Sequence, residues 1–294
     1  MKNFIISVYS GLNNKLLPLI SLLRICRKEK GIIKCFWGND AYINEYKYSF
    51  TDLFLPIKNI EFISKLEFDN QFKNTNNIVY NKAGSDRDRK EIIYHHNNTN
   101  NTNIVFYNIV HLISYNDDNI IGKFVPYPRS KINRTKIIYE LQELLKELKP
   151  STEIEKQISH TLTKIDNTNV LGIHMRTTDG GFTDIPKNAI FNYIDNYLNN
   201  NTKSKIYISC DNEKLENKII NRYKNNIIYF ENPFGNSYGD KFNRFTYGTK
   251  NAVCELYILS KCSNFVGTPG SSFSFMVWLL RNEDYLNFWC DNPW

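Results

Sequence analysis

Several features are missing from this 294-residue sequence, and each absence narrows the class of protein. No segment approaches the ~20 consecutive apolar residues of a membrane-spanning helix. The N-terminal "MKNFIISVYSG" has one Lys and too short an apolar run for a signal peptide. We therefore expect a soluble, cytoplasmic protein with no integral membrane segment.

Metal-binding patterns are also absent. The six cysteines form no CxxC pair, and several stand in apolar runs, where Cys packs as a small hydrophobic residue. The sequence therefore predicts reduced cysteines and no metal site.

Nucleotide-binding and nucleic-acid-binding motifs are missing as well. Neither GxxxxGK(S/T) nor GxGxxG occurs, which argues against a P-loop enzyme and a dinucleotide-binding Rossmann enzyme. The formal charge of +7, from 37 basic and 30 acidic residues, is spread along the chain. Such an excess suits an anionic ligand without requiring nucleic acid, which we do not expect as a partner.

What the sequence does have is alternation of strand-like and helix-like segments. A strand (3–9), a helix (15–30) and a strand (31–37) open the chain, and strands and helices alternate again from 170 to 280. This pattern predicts an α/β fold with parallel sheets covered on both faces. We expect two halves, 1–150 and 151–294, with a polar insertion near 81–103.

Polar residues follow the predicted strands where those strands end. Ligands of open parallel sheets bind beyond the carboxyl ends of the strands, so these residues should converge on one crevice. They are Gly11 and Asn14 after the first strand, His174, Arg176 and Asp179 after a later one, Asp211 after "KIYISC", and Thr268 to Ser272 after "NFVG".

The chemistry of these residues suits a nucleoside diphosphate. Arg176 has the fixed-charge guanidinium that pairs with phosphate, and "TPGSSFS" brings hydroxyls and free backbone N–H groups to a helix N-terminus. Ser271 could instead be a simple N-cap. Glu255 lies in an apolar helix and could accept both N1–H and N2–H of guanine, although a first-turn Glu favoured by the helix dipole is the alternative.

The same residues carry a resemblance to a known family. "GIHMRTTD" resembles the HxRxxD motif of the α1,2-, α1,6- and protein O-fucosyltransferase superfamily, and "KNAVCELYILSKCSNFVGTPGSSFS" resembles its C-terminal donor motif. "IYISCDNEKL", "FNRFT" (which contains Arg244) and "YSGLNNKLLPLISLLRI" resemble further segments. The resemblance covers 168–280 and, more weakly, 1–55. The pattern is most similar to α1,6-type enzymes, including bacterial ones that fucosylate chitin oligosaccharides.

This resemblance implies a GT-B fold and inverting, metal-independent transfer of fucose from GDP-fucose to a glycan hydroxyl, without a cofactor. Carried over by position, Arg176 would bind the β-phosphate and Asp184 would take the proton of the acceptor. The other donor residues would be His174, Glu255, Thr268, Ser271, Ser272 and Phe273. The acceptor and cleft residues would be Gly11, Asn14, Asp179, Asp211 and Arg244.

Four positions depart from the family pattern. Thr177 replaces a second Arg, Glu255 replaces Asp, Asn212 replaces the second Asp after "ISC", and Asn13 replaces Gly in the N-terminal loop. Two alternatives therefore stay open. One is a transferase that uses another GDP-sugar, and the other is an inactive protein that binds a nucleotide sugar or a glycan.

Overall fold

The computed structural model describes residues 2–8, 11–38, 48–74, 78–81, 103–109, 132–165, 168–176, 187–230, 248–268 and 271–282. The chain divides into two compact units, Met1–Lys149 and Pro150–Trp294. Each unit is built around its own parallel sheet.

The N-terminal unit contains a five-stranded sheet of order β3-β2-β1-β5-β4, with every pairing parallel. Its strands are β1 Asn3–Val8, β2 Ile32–Trp37, β3 Ile60–Phe62, β4 Ile78–Asn81 and β5 Asn103–Ile109. Its described helices are α1 Leu12–Lys28, α2 Phe50–Leu53, α3 Lys65–Lys73 and α4 Ile132–Leu145.

The helix after the first strand begins earlier than the apolar spacing predicts. Gly11 is the N-cap of α1, so Asn13 and Asn14 belong to its first turn rather than to a loop. Apolar residues of α1 from Leu16 to Ile25 are buried on several faces, because the helix packs against both the sheet and α4. The sequence did not indicate β3, β4 or β5, and the short strands β3 and β4 have little room for a period-two pattern.

The C-terminal unit contains a four-stranded sheet of order β8-β7-β6-β9, again with every pairing parallel. Its strands are β6 Val170–Met175, β7 Lys205–Cys210, β8 Ile227–Ile228 and β9 Asn264–Gly267. Its described helices are α5 Thr152–Leu162, α6 Lys187–Asn200, α7 Glu213–Tyr223, α8 Gly248–Lys261 and α9 Ser272–Arg281.

The central strand β6 is buried at all six of its residues, as expected for a parallel strand covered on both faces. Leu171, Ile173 and Met175 pack with Ile190 and Ile194 of α6 in one core cluster. Gly172 lies on the opposite face, where a Cβ would come within 3.0 Å of the Cys262 side chain. Glycine at this position therefore lets the end of α8 approach the sheet closely.

The described cysteines are all buried thiols outside any disulfide: Cys26, Cys35, Cys210, Cys254 and Cys262. Burial raises the pKa of each thiol, to about 11 for Cys26 and about 12 for Cys210. The neutral thiol therefore predominates near neutral pH, and these side chains act as packing residues.

Candidate active site

Three neighbouring strands of the C-terminal sheet end side by side. β6 lies between β7 and β9, and His174 on β6 is in register with Ser209 on β7 and with Gly267 on β9. The order of the strands reverses at β6, since β7 and β8 follow on one side and β9 lies on the other. The carboxyl end of a parallel sheet at such a reversal is where ligands of open α/β sheets bind.

Thr268 ties the end of β9 to the end of β6. The backbone N–H of Arg176 donates to Thr268 Oγ1 at 2.9 Å, and the hydroxyl donates to the carbonyl oxygen of His174 at 3.1 Å. Thr268 is fully buried, so water does not compete with these two bonds. The hydroxyl therefore fixes the backbone from which the Arg176 guanidinium extends.

The helix α9 begins at Ser272, four residues after Thr268. Ser271 is its N-cap residue, but the Ser271 hydroxyl makes no capping hydrogen bond. Ser271 is 3% exposed, and its hydroxyl oxygen has no hydrogen-bond partner within the part of the chain that the structure describes. A buried hydroxyl without a partner costs ~1–3 kcal/mol. Ser271 therefore occupies the N-cap position without capping α9 through its hydroxyl, and its role in binding a ligand stays a prediction.

The His174 side chain is fixed by two residues of α9. Its Nδ1 atom lies 2.7 Å from Ser274 Oγ, and its ring stacks on Phe273 with centroids 4.5 Å apart and planes 23° apart. His174 and Ser274 are both buried. The first turn of α9 therefore sets the orientation of the imidazole.

Glu255 of α8 reaches the end of β7, where Ser209 Oγ donates to its carboxyl at 3.0 Å. The residue is partly exposed, but burial of the carboxyl group raises the pKa of Glu255 to about 8. The neighbouring negative charge of Glu216 also raises this pKa, and the Ser209 hydrogen bond opposes the shift. The neutral carboxyl of Glu255 is therefore favoured at neutral pH, and additional hydrogen-bond donors beside it would favour the ionised form.

All seven predicted donor residues lie at this one edge. The sheet and α9 bring together His174, Arg176, Thr268, Ser271, Ser272 and Phe273. The end of β7 adds Asp211, predicted for the acceptor side of the cleft, whose N–H donates to the carbonyl of Met175 at 3.2 Å. Glu255 joins them through Ser209.

The remaining predicted residues are elsewhere. Gly11 and Asn14 lie at the N-terminus of α1 in the N-terminal unit, beyond the end of β1. Asp179, Asp184 and Arg244 lie outside the described residues, so their roles stay predictions.

Sequence reasoning missed Ser209 and Ser274, which contact Glu255 and His174 respectively. A polar residue inside the apolar run "KIYISC" was the available indication for Ser209. Ser274 stands three positions after Ser271, one helical turn along, so it shares a face with the predicted anion site. Both could have been identified only by knowing how β6 pairs with its neighbours.

The described ranges contain neither a membrane-spanning helix nor a metal-binding cluster. No helix in them is long and apolar enough to cross a bilayer. Nor do three His, Cys, Asp or Glu side chains come together there in a group that could hold a metal ion.

No protein-family model matches the chain, and no curated protein matches it. Solved structures do match. The structure of NodZ α1,6-fucosyltransferase soaked with GDP-fucose matches with TM-score 0.62 and 13% identity, over 95% of this chain and 93% of NodZ. NodZ has also been solved as the fucosyltransferase from Bradyrhizobium.

Two further solved fucosyltransferase structures match. A mutant of Arabidopsis thaliana FUT1 in complex with GDP gives TM-score 0.59 and 13% identity, over 95% of this chain and 68% of that chain. POFUT1 in complex with GDP gives TM-score 0.55 and 11% identity, over 96% and 95%. The chain therefore has the GT-B-type α/β fold of these proteins, with two Rossmann-like halves, and the predicted fold class is confirmed.

Proposed function

We propose that this protein is an inverting glycosyltransferase that moves fucose from GDP-fucose to a glycan hydroxyl without a metal ion. The observation that carries the proposal is the Thr268 hydroxyl, which ties Arg176 to the turn that precedes α9. A guanidinium and the N-terminus of a helix, held at one sheet edge, form a site suited to a diphosphate.

We assign recognition of the guanine base to the carboxylate of Glu255. An ionised carboxylate accepts two parallel N–H bonds, and guanine offers N1–H and N2–H side by side, whereas adenine has no such pair. The raised pKa of Glu255 supports this role, because a carboxyl that is costly to ionise alone gains from two ligand donors.

The reaction is assigned to Arg176 and Asp184. Negative charge builds on the leaving GDP as the bond to the sugar breaks, so a fixed guanidinium stabilises the transition state more than the ground state. Asp184 takes the proton of the attacking hydroxyl, on the opposite face of the sugar from the leaving group. Arg176 and the N-terminus of α9 supply the positive field that a metal ion supplies in other transferases, and no cofactor is needed.

Support for fucose as the transferred sugar comes from the motifs and from two solved structures, NodZ soaked with GDP-fucose and POFUT1 in complex with GDP-fucose. None of the motif residues named above is assigned to recognition of the sugar. The two alternatives are therefore a transferase for another GDP-sugar and an inactive binding protein.

A panel of nucleotide sugars tests the proposal. Purified protein is incubated with GDP-fucose, GDP-mannose or a UDP-sugar and with glycan acceptors that include chitin oligosaccharides. We expect transfer from GDP-fucose alone, undiminished by EDTA. Transfer from GDP-mannose would favour the first alternative, GDP binding without turnover would favour the second, and Mn²⁺- or Mg²⁺-dependent activity would contradict metal independence.

A further inference from the structure

Ser274 and His174 form a buried polar contact beside an apolar stretch of α9. Ser274 is 0% exposed and His174 is 6% exposed, and their Oγ and Nδ1 atoms lie 2.7 Å apart. Neighbouring residues of α9 are apolar and buried, from Phe275 to Leu279. Water is not available to replace a lost partner in such a place, so the orientation of the imidazole depends strongly on this hydroxyl.

The sheet makes room for this contact. A Cβ on Gly267 would lie 2.6 Å from Ser274 Cβ and 2.7 Å from Ser274 Oγ. Any other residue at the end of β9 would therefore push the first turn of α9 away from β6. Glycine at 267 is what lets the Ser274 hydroxyl reach a side chain on the neighbouring strand.

The direction of the hydrogen bond follows from the partner of the Ser274 hydroxyl. Ser274 is the third residue of α9, which begins at Ser272. Among the described residues, the hydrogen-bond partner of its Oγ atom is Nδ1 of His174, at 2.7 Å. A hydroxyl hydrogen rotates to suit its partner, so the hydrogen of Ser274 is best directed at Nδ1 of His174.

We propose that Ser274 is a positioning residue that donates to Nδ1 and thereby fixes the hydrogen of His174 on Nε2. A neutral imidazole that accepts at one nitrogen must donate at the other. The Nε2–H group is then a preset donor for an acceptor atom of the bound nucleotide. This last step rests on the proposed function, whereas the assignment of the hydrogen concerns the free protein.

The tautomer is measured in the protein without nucleotide. The chain has five histidines, so two-bond ¹H–¹⁵N correlation spectra of histidine-labelled protein are resolvable, and a His174→Gln spectrum assigns the signal. We expect Nδ1 without hydrogen and Nε2 with hydrogen in the unaltered protein, and a mixture of tautomers in Ser274→Ala. A single Nδ1–H tautomer in the unaltered protein would overturn the proposal, even if Ser274→Ala does not fold.

Nucleotide binding tests the consequence. Ser274→Ala should weaken GDP binding by about 3- to 10-fold, the scale of one net hydrogen bond. Ser274→Thr keeps the hydroxyl and should restore both the tautomer and the affinity. Ser260→Ala is the matched control, because the Ser260 hydroxyl bonds only a carbonyl of its own helix, Tyr257 O at 2.7 Å, and its loss should leave GDP affinity unchanged.

The outcomes distinguish a failure of the positioning role of Ser274 from a failure of the proposed function. Equal GDP affinity in Ser274→Ala and the unaltered protein, with the tautomer preserved, would overturn the positioning role. Absence of GDP binding in the unaltered protein would instead contradict the proposed function, and the tautomer spectra would still decide the role of Ser274.

Discussion

The two sheets share a strand order but differ in the chemistry of their carboxyl ends. β3-β2-β1-β5 in the N-terminal unit corresponds to β8-β7-β6-β9 in the C-terminal unit. One residue before the end of the central strand, Ser7 pairs with Phe36 in the first sheet, and His174 pairs with Ser209 in the second. The last pairs are Val8 with Trp37 and Met175 with Cys210.

The N-terminal edge is dominated by aromatic packing. Trp37 packs edge-on against Phe50, with ring centroids 5.4 Å apart, and the Lys15 ammonium lies 5.2 Å from the Trp37 ring centroid. At the C-terminal edge, hydroxyls instead hold a His, an Arg backbone and a Glu in place. A shared topology therefore does not imply a shared ligand, because the side chains at the edge decide the chemistry.

The largest effect should come from the proposed base. Asp184→Asn keeps the size and polarity of the side chain but cannot take a proton, so transfer should fall by roughly 10²- to 10⁴-fold. GDP affinity, measured by calorimetry, should stay close to that of the unaltered protein. A normal transfer rate would move the base to another carboxylate, such as Asp179 or Asp211, and loss of GDP binding would assign Asp184 to the donor side.

A cation at each edge gives the next test. Arg176→Ala should weaken GDP binding and lower turnover by about 10²-fold or more, the scale of one electrostatic contact to a transition state. Lys15→Met at the N-terminal edge should leave GDP affinity unchanged. Arg222 is an exposed cation of the C-terminal unit, which also carries Arg176, and it pairs with Asp195 at 2.5 Å. Arg222→Ala should also leave GDP affinity unchanged. Equal losses in all three variants would mean that net charge, and not the site, governs binding.

A smaller effect is expected for Glu255→Gln. The amide accepts at only one atom, so the preference for GDP over ADP should fall by about 10- to 100-fold. Binding constants for the two nucleotides measure this preference directly. A preference unchanged in Glu255→Gln would remove Glu255 from the guanine site.

The pH dependence of the preference for GDP over ADP gives a further test, with a smaller expected effect. Guanine requires ionised Glu255, whose pKa in the free protein is raised to about 8 by burial. The ratio of GDP to ADP affinity should therefore rise with pH, by up to about tenfold per unit, and level off above that pKa. Ionisation of the phosphates cancels in the ratio. A ratio that is flat with pH would show that Glu255 is ionised without ligand.

The stability of the nucleotide-free protein should fall with rising pH, whereas the ratio of GDP to ADP affinity should rise. The pKa of Glu255 is raised in the fold relative to the ordinary value of 4.5, so the folded state holds its proton more tightly than the unfolded chain. Without nucleotide, its contribution to stability is full below the ordinary pKa and is lost as pH rises to about 8. Glu255→Gln should lack this loss in thermal unfolding, and an identical pH profile in both proteins would contradict the raised pKa.

Much of the fold and part of the site could be predicted from sequence because they depend on local patterns. Alternating strands and helices indicated parallel sheets, and polar residues after apolar strands indicated the edge that carries His174 and Arg176. The contacts between side chains far apart in the sequence could not be predicted in this way. Ser209 meets Glu255 across 46 residues and Ser274 meets His174 across 100, so both contacts depend on sheet register and helix packing. In the N-terminal unit, polar insertions and short strands weakened the period-two signal.

The central claim is that the edge formed by β6, β7 and β9 recognises a guanosine diphosphate. Titration of the unaltered protein with GDP and with ADP by calorimetry tests it most directly, because the two ligands share the diphosphate and the ribose. We predict that GDP binds at least about 100-fold more tightly than ADP, since adenine leaves the carboxyl of Glu255 without its two donors. Equal affinities for GDP and ADP would contradict the account.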